Sequence, residues 1–117
     1  MIPRRPGRHR TWLGASTITL AVATVACGPP TSGKKASELY TEHCARCHGA
    51  DGRGDARALA LSPSSNLTRS ALARRRARGP IYLRISQGYG SMPAFSHKLE
   101  RGDIDLLVDY VLELPAQ

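Results

Sequence analysis

The feature that most narrows what this chain can become is Cys44-Ala45-Arg46-Cys47-His48. On a helix, residues three and four apart are neighbours about 5–6 Å from each other. Two thiols therefore project from one side of a single turn, and an imidazole follows directly, four residues after Cys44. The rest of the chain is poorly supplied with large apolar side chains. It has one Phe and four Tyr, and its one Trp, Trp12, sits far upstream of the motif. A domain of this size buries a modest core. A large apolar group gathered at the motif would supply much of what the side chains lack.

Three chemistries use cysteines paired in this way. A tetrahedral zinc site needs four ligands in reach of one ion, and here His43 and His48 crowd the same turn as the thiols. A thioredoxin-type dithiol needs a buried strand before it, whereas residues 36–48 carry a helical pattern. The third is haem attachment, for which C-x-x-C-H is the signature. Cys44 and Cys47 would form thioethers to two vinyl groups on one haem edge, and His48 would turn under the ring to bind the iron. For the other axial position the sequence offers Met92, the only methionine after Met1. Gly90 permits a tight backbone approach and Pro93 biases Met92 toward extended geometry, so the loop can present a thioether. The alternative is a core-filling methionine. His43 abuts the attachment turn and does not easily reach the far face. His97 is the rival ligand, or a surface histidine.

Residues 1–10 carry four arginines and no acid, and residues 11–26 carry no charge. That layout is a secretory signal, and the apolar stretch falls short of the roughly 20 mostly apolar residues of a spanning helix. The alternative is an uncleaved membrane anchor. The stretch ends at Cys27, followed by Gly28, Pro29 and Pro30, which resembles a lipoprotein processing site, although Thr24 stands where Leu is usual. Two of the three cysteines belong to the motif, so Cys27 is left over, and lipidation would give it a role. Ordinary cleavage nearby, with Cys27 incidental or removed, is the other reading. The expected organisation is a signal peptide over 1–26, a lipidated Cys and flexible tether over 27–35, and a folded domain over 36–117. The expected location is the periplasm or the outer face of a membrane, with a lipid anchor at Cys27. The formal net charge of +8 includes four of the 17 Lys and Arg within residues 1–10; from Cys27 onward 13 face nine acids, leaving +4. Nucleic-acid binding is not expected from that balance.

Residues 36–48 predict a helix capped by Ser37, with Glu38 in its first turn and Ala36, Tyr40, Cys44 and Cys47 on one face. Gly49 can close it. Residues 56–66 read as loop. Thr68 would cap a basic helix over 69–78, stopped by Gly79-Pro80. Residues 81–87 alternate like a strand, but Pro80 suits a helix start and no second strand is available to pair, so a helix is expected. Residues 88–93 read as loop. Residues 101–114 form an amphipathic helix with Ile104, Leu107, Val108, Val111 and Leu114 on one face and Asp105, Asp109 and Glu113 outside it.

The helix carrying CARCHGADGRG, the GSMPAF loop and the C-terminal helix with Tyr110 together resemble class I c-type cytochromes of the small bacterial monohaem type, over residues 36–114. The resemblance implies an all-α cytochrome c fold, three to four short helices wrapped around one covalent haem c. It implies crossing terminal helices with Tyr40 and Tyr110 at or near the crossing, His48 as proximal ligand and Met92 as distal ligand. It also implies a Pro carbonyl accepting the His48 proton, with Pro63 the candidate. The segment from Ala56 to Arg78 departs from the family pattern in being rich in Arg.

With both axial positions filled, substrates cannot coordinate, and outer-sphere transfer of single electrons between redox proteins is the expected function, rather than enzymatic catalysis. The alternatives are a haem-bearing subunit of a larger membrane oxidoreductase and a gas- or ligand-sensing haem protein. Arg74, Arg75, Arg76 and Arg78 form the densest charge cluster. They are a candidate docking patch for partners with acidic surfaces, or else a solvated helix face.

Overall fold

The apolar stripe of the last helix organises the molecule. The computed structural model describes residues 27–115. Its helices are α1 (Ala36–His43), α2 (Ala45–His48), α3 (Ala56–Leu61), α4 (Ala71–Arg74), α5 (Arg78–Gln87) and α6 (Arg101–Glu113). Two short 3₁₀ turns, Pro63–Ser65 and Leu67–Arg69, join α3 to α4. Among the described residues there is no strand, only a two-residue bridge between Tyr89 and Met92. The architecture is all-α.

Ile104, Leu107, Val108 and Val111 of α6 are buried as expected, and Leu112 is buried with them. They meet Leu39 and Tyr40 of α1 on one side and Ile81 and Ile85 of α5 on the other. The α1–α6 crossing is marked by the rings of Tyr40 and Tyr110, whose centroids lie 4.7 Å apart. Burial holds the Tyr40 phenol well above its ordinary pKa, and the neutral hydroxyl donates to the Gly49 carbonyl at 2.8 Å. That bond ties α1 to the end of α2, immediately after the motif. Each such helix is too short to stand alone; the shared apolar seam is what holds them.

Several local expectations need correcting. The first helix is capped at Lys35, whose amide is accepted by the Glu38 carboxylate at 2.9 Å, and not by Ser37. Residues 56–61, expected as loop, form α3, because Asp55 accepts from the Arg57 amide and caps it. The basic helix expected over 69–78 stops at Arg74, with Ser70 and not Thr68 as its cap. Arg76 then takes a positive φ of 50°, and its guanidinium reaches the Leu112 carbonyl at the end of α6. Gly79 and Pro80 lie in the first turn of α5 instead of ending a helix; a proline there forfeits no helical hydrogen bond.

The signal peptide expected over residues 1–26 lies outside the described residues. Among the described residues no helix is long and apolar enough to cross a membrane. Residues 28–35, expected as a flexible tether, run as a strap across the start of α6. Pro30 O accepts from Gly102 N at 2.9 Å. The amide and hydroxyl of Ser32 donate to the Asp103 carboxylate at 2.9 and 3.0 Å. Asp103 is 1% exposed, and a carboxylate so buried needs such donors. A β-carbon on Gly102 would run into the Thr31 methyl and come within 2.8 Å of Pro30 O, so the strap lies directly on the helix backbone.

Candidate cofactor site

The motif turn is helical but bent at its first cysteine. Cys44 has φ −116° and ψ −41°, which separates α1 from α2. Main-chain bonds carry the register across the bend: Cys44 N to Tyr40 O at 2.8 Å, Cys47 N to Cys44 O at 3.1 Å and His48 N to Cys44 O at 2.9 Å. The two thiols thus keep their one-turn relation. Both are free, Cys44 buried and Cys47 exposed. Burial, and secondarily the neighbouring Cys47, pushes the Cys44 thiol up to about 11. A reactive dithiol requires the opposite shift. Among the described residues no group of three or more His, Cys, Asp and Glu is arranged to hold a metal ion on its own.

His48 is held by a main-chain acceptor. Its Nδ1 lies 2.8 Å from the carbonyl oxygen of Ser65. A carbonyl only accepts, so Nδ1 carries the proton and Nε2 keeps its lone pair for a metal. The acceptor is Ser65 and not the expected Pro63. The Pro63 carbonyl is spent on the Asn66 amide at 3.2 Å, closing the 3₁₀ turn that aims Ser65 O at the ring. The loop is fixed to the motif side by Leu67 N to Gly52 O at 2.7 Å.

Met92 is half-buried and packs against the main core, which also contains Cys44. Its loop is pinned at both ends. Tyr89 and Met92 exchange main-chain bonds of 3.0 Å each. Phe95 N donates to Ile85 O at 3.0 Å and Ser96 N to Ser86 O at 3.1 Å, folding the loop back on α5. The Phe95 ring meets the His43 ring edge-on, centroids 5.9 Å apart, which joins the Met92 loop to the motif turn. His43 is engaged there and by Glu42 at 3.6 Å, while His97 is exposed. Two thiols one turn apart, an imidazole with its Nε2 lone pair free and a thioether on a stiff loop suit a porphyrin iron with covalent attachment.

The remaining candidates lie apart from this centre. Cys27 is exposed and free. Arg74, Arg75, Arg76 and Arg78 are all exposed. Arg78 is ion-paired with Asp109 on α6, so it adds little to a positive patch. Among the described residues, Arg74 and Arg75 reach only main-chain carbonyls, those of Arg69 and Ala71. Sequence reasoning missed the Ser65 carbonyl, which no side chain signals. It also missed Arg84, whose guanidinium lies over the Tyr89 ring.

The family model described as cytochrome c oxidase, cbb3-type, subunit III matches residues 31–111. The chain belongs to this family. It is a small c-type cytochrome with covalently bound haem c, which fits haem-based electron transfer. Among solved structures it is similar to the KustC0563 c-type cytochrome, with a TM-score of 0.63 and 24% identity, covering 70% of this chain and 99% of that one. That likeness supports the all-α cytochrome c fold. A search of the curated proteins finds no match.

Proposed function

We propose that this cytochrome carries a single haem on Cys44 and Cys47, with His48 and Met92 as axial ligands, and shuttles single electrons between exported or membrane-bound redox partners. Haem c supplies a one-electron Fe(III)/Fe(II) couple when bound. The observation that carries the reading is the combination of a His48 ring held through Nδ1 by the Ser65 carbonyl with a Met92 whose loop is pinned at both ends and packs against the core containing Cys44. The Ser65 carbonyl keeps the His48 proton on Nδ1 and orients the ring. The Tyr89–Met92 bridge holds the Met92 backbone in place, and a thioether bound from it would leave no coordination site for a substrate. A thioether and an imidazole as the two protein ligands would favour the reduced iron and raise the potential. Cys47 is exposed, so the attachment turn reaches the surface where a partner can approach.

Lipidation at Cys27 would keep the domain at the outer face of a membrane, and Arg74, Arg75 and Arg76 would meet an acidic partner. A second reading, a haem-bearing subunit of a larger membrane oxidoreductase, is favoured by the description of the matching family. Size-exclusion chromatography of a detergent extract separates the two. A free carrier elutes at the size of the cytochrome alone; a subunit elutes with its complex. The axial assignment is tested by spectra of the purified protein. The oxidised form should show the weak sulfur-to-iron charge-transfer band, absent in Met92→Ala, and the reduced wild type should not bind carbon monoxide. Ready carbon monoxide binding would sink the Met92 assignment.

A further inference from the structure

The loop bearing Met92 begins where α5 ends. Gly88 turns the chain at φ 79°, and a β-carbon there would stand 2.6 Å from Met92 O and 2.9 Å from Ala94 N. The segment 92–94 therefore runs back across Gly88. The return end of the loop is fixed by main-chain bonds from Phe95 to Ile85 and from Ser96 to Ser86, which tolerate most side chains. The outgoing end depends on Tyr89, which exchanges both amide–carbonyl bonds with Met92. Wherever Tyr89 moves, the Met92 backbone moves with it.

Tyr89 is 62% exposed, so apolar burial does not hold it. What does hold it is Arg84. The guanidinium carbon lies 4.1 Å from the centroid of the Tyr89 ring, well inside cation–π range. Arg84 stands on α5, a helix anchored in the core by Ile81 and Ile85. Among the described residues no carboxylate pairs with Arg84, unlike Arg78, so its charge serves the ring.

We infer that Arg84 is a positioning residue: by stacking on Tyr89 it latches the loop that presents Met92, and so governs how often the sixth position opens to external ligands. This rests on the reading of Met92 as an axial ligand. It adds a role for two residues that touch neither the attachment cysteines nor His48. The latch is a surface contact, so its loss should loosen the ligand loop without unfolding the domain.

The test uses the oxidised holoprotein and imidazole as the incoming ligand. At saturating imidazole the binding rate reports departure of Met92, followed by decay of the sulfur-to-iron charge-transfer band. Arg84→Gln and Tyr89→Leu should each raise that rate about two- to five-fold, the size of an exposed cation–π contact. The double variant should be no faster than the faster single one, because both remove the same contact. Tyr89→Phe keeps the ring and should keep the wild-type rate. Wild-type rates in both single variants, or effects that multiply in the double variant, would overturn the latch while leaving Met92 in place. A wild-type protein without the charge-transfer band would overturn the Met92 reading, and the latch with it.

Discussion

Replacing Gly88 with alanine strikes the ligand loop at its tightest point. The new β-carbon would lie 2.6 Å from Met92 O, 2.9 Å from Ala94 N and 3.0 Å from Pro93 C. All three are main-chain atoms, so no side chain can swing aside to make room. An L-residue held at the φ of 79° and ψ of 172° seen here sits in a region open essentially to glycine alone, at a cost of about 1–3 kcal/mol. Withdrawal of the Met92 carbonyl breaks its bond from Tyr89 N, worth about 0.5–1.5 kcal/mol. Together the closed loop loses roughly 1.5–4.5 kcal/mol, about ten- to a thousand-fold in its population relative to an open one. The core helices do not contribute to this contact, so far-UV circular dichroism should be unchanged. The assay is the absorption spectrum of oxidised Gly88→Ala, with carbon monoxide added to the reduced form. The expected result is a weakened or absent charge-transfer band and new carbon monoxide binding. An intact band with no carbon monoxide binding would refute the close-approach reasoning.

Further outcomes follow from the packing and charge. Leu107 is 0% exposed between α1 and α5, so Leu107→Ala should cost about 2–5 kcal/mol in chemical denaturation of the holoprotein, and a loss under 1 kcal/mol would contradict its central place. The Glu42 carboxylate is held below its ordinary value of 4.5, chiefly by its hydrogen bond from Lys34. A lowered carboxylate stabilises the fold above its ordinary value and loses that contribution as pH falls through the lowered one. Titration of Glu42 by nuclear magnetic resonance should show the low midpoint, and Lys34→Ala should return it to the ordinary range. Neutralising Arg74, Arg75 and Arg76 should slow electron transfer to an acidic partner at low ionic strength and leave it unchanged at high salt, while Arg78→Gln alone has a smaller effect because Asp109 already pairs it. Equal rates at low salt would remove the patch from any docking role.

What the sequence disclosed follows from what leaves a periodic trace. The face of α6 and the motif turn were legible, because apolar spacing and the Cys-His pattern depend on side chains in register. The rest is set by contacts between distant segments. Residues 56–61 read as loop because ARALAL carries too weak a face to announce α3, and Asp55 emerges as its cap only in the folded chain. The run from Arg69 to Arg78 has helical propensity throughout, yet Arg76 breaks it, and its guanidinium there reaches Leu112 O. The strap over α6 looked like a linker because Pro, Gly and Ser are also what lets a chain lie flat on a helix backbone; its partner, Asp103, is 71 residues away from Ser32. The acceptor for His48 escaped because carbonyls belong to every residue, and only the 3₁₀ turn decides that Ser65 O, and not Pro63 O, faces the ring. Met92 was singled out by scarcity, and its pinning by Tyr89 is visible only in the folded loop.

Intact-mass analysis of the denatured holoprotein, followed by sequencing of its proteolytic peptides, bears most directly on the attachment. The mass should exceed that of the processed polypeptide by one haem, and the excess should stay with the peptide containing Cys44 and Cys47 after denaturation in acid. A polypeptide of unmodified mass, with both thiols open to alkylation, would contradict covalent attachment and everything built on it.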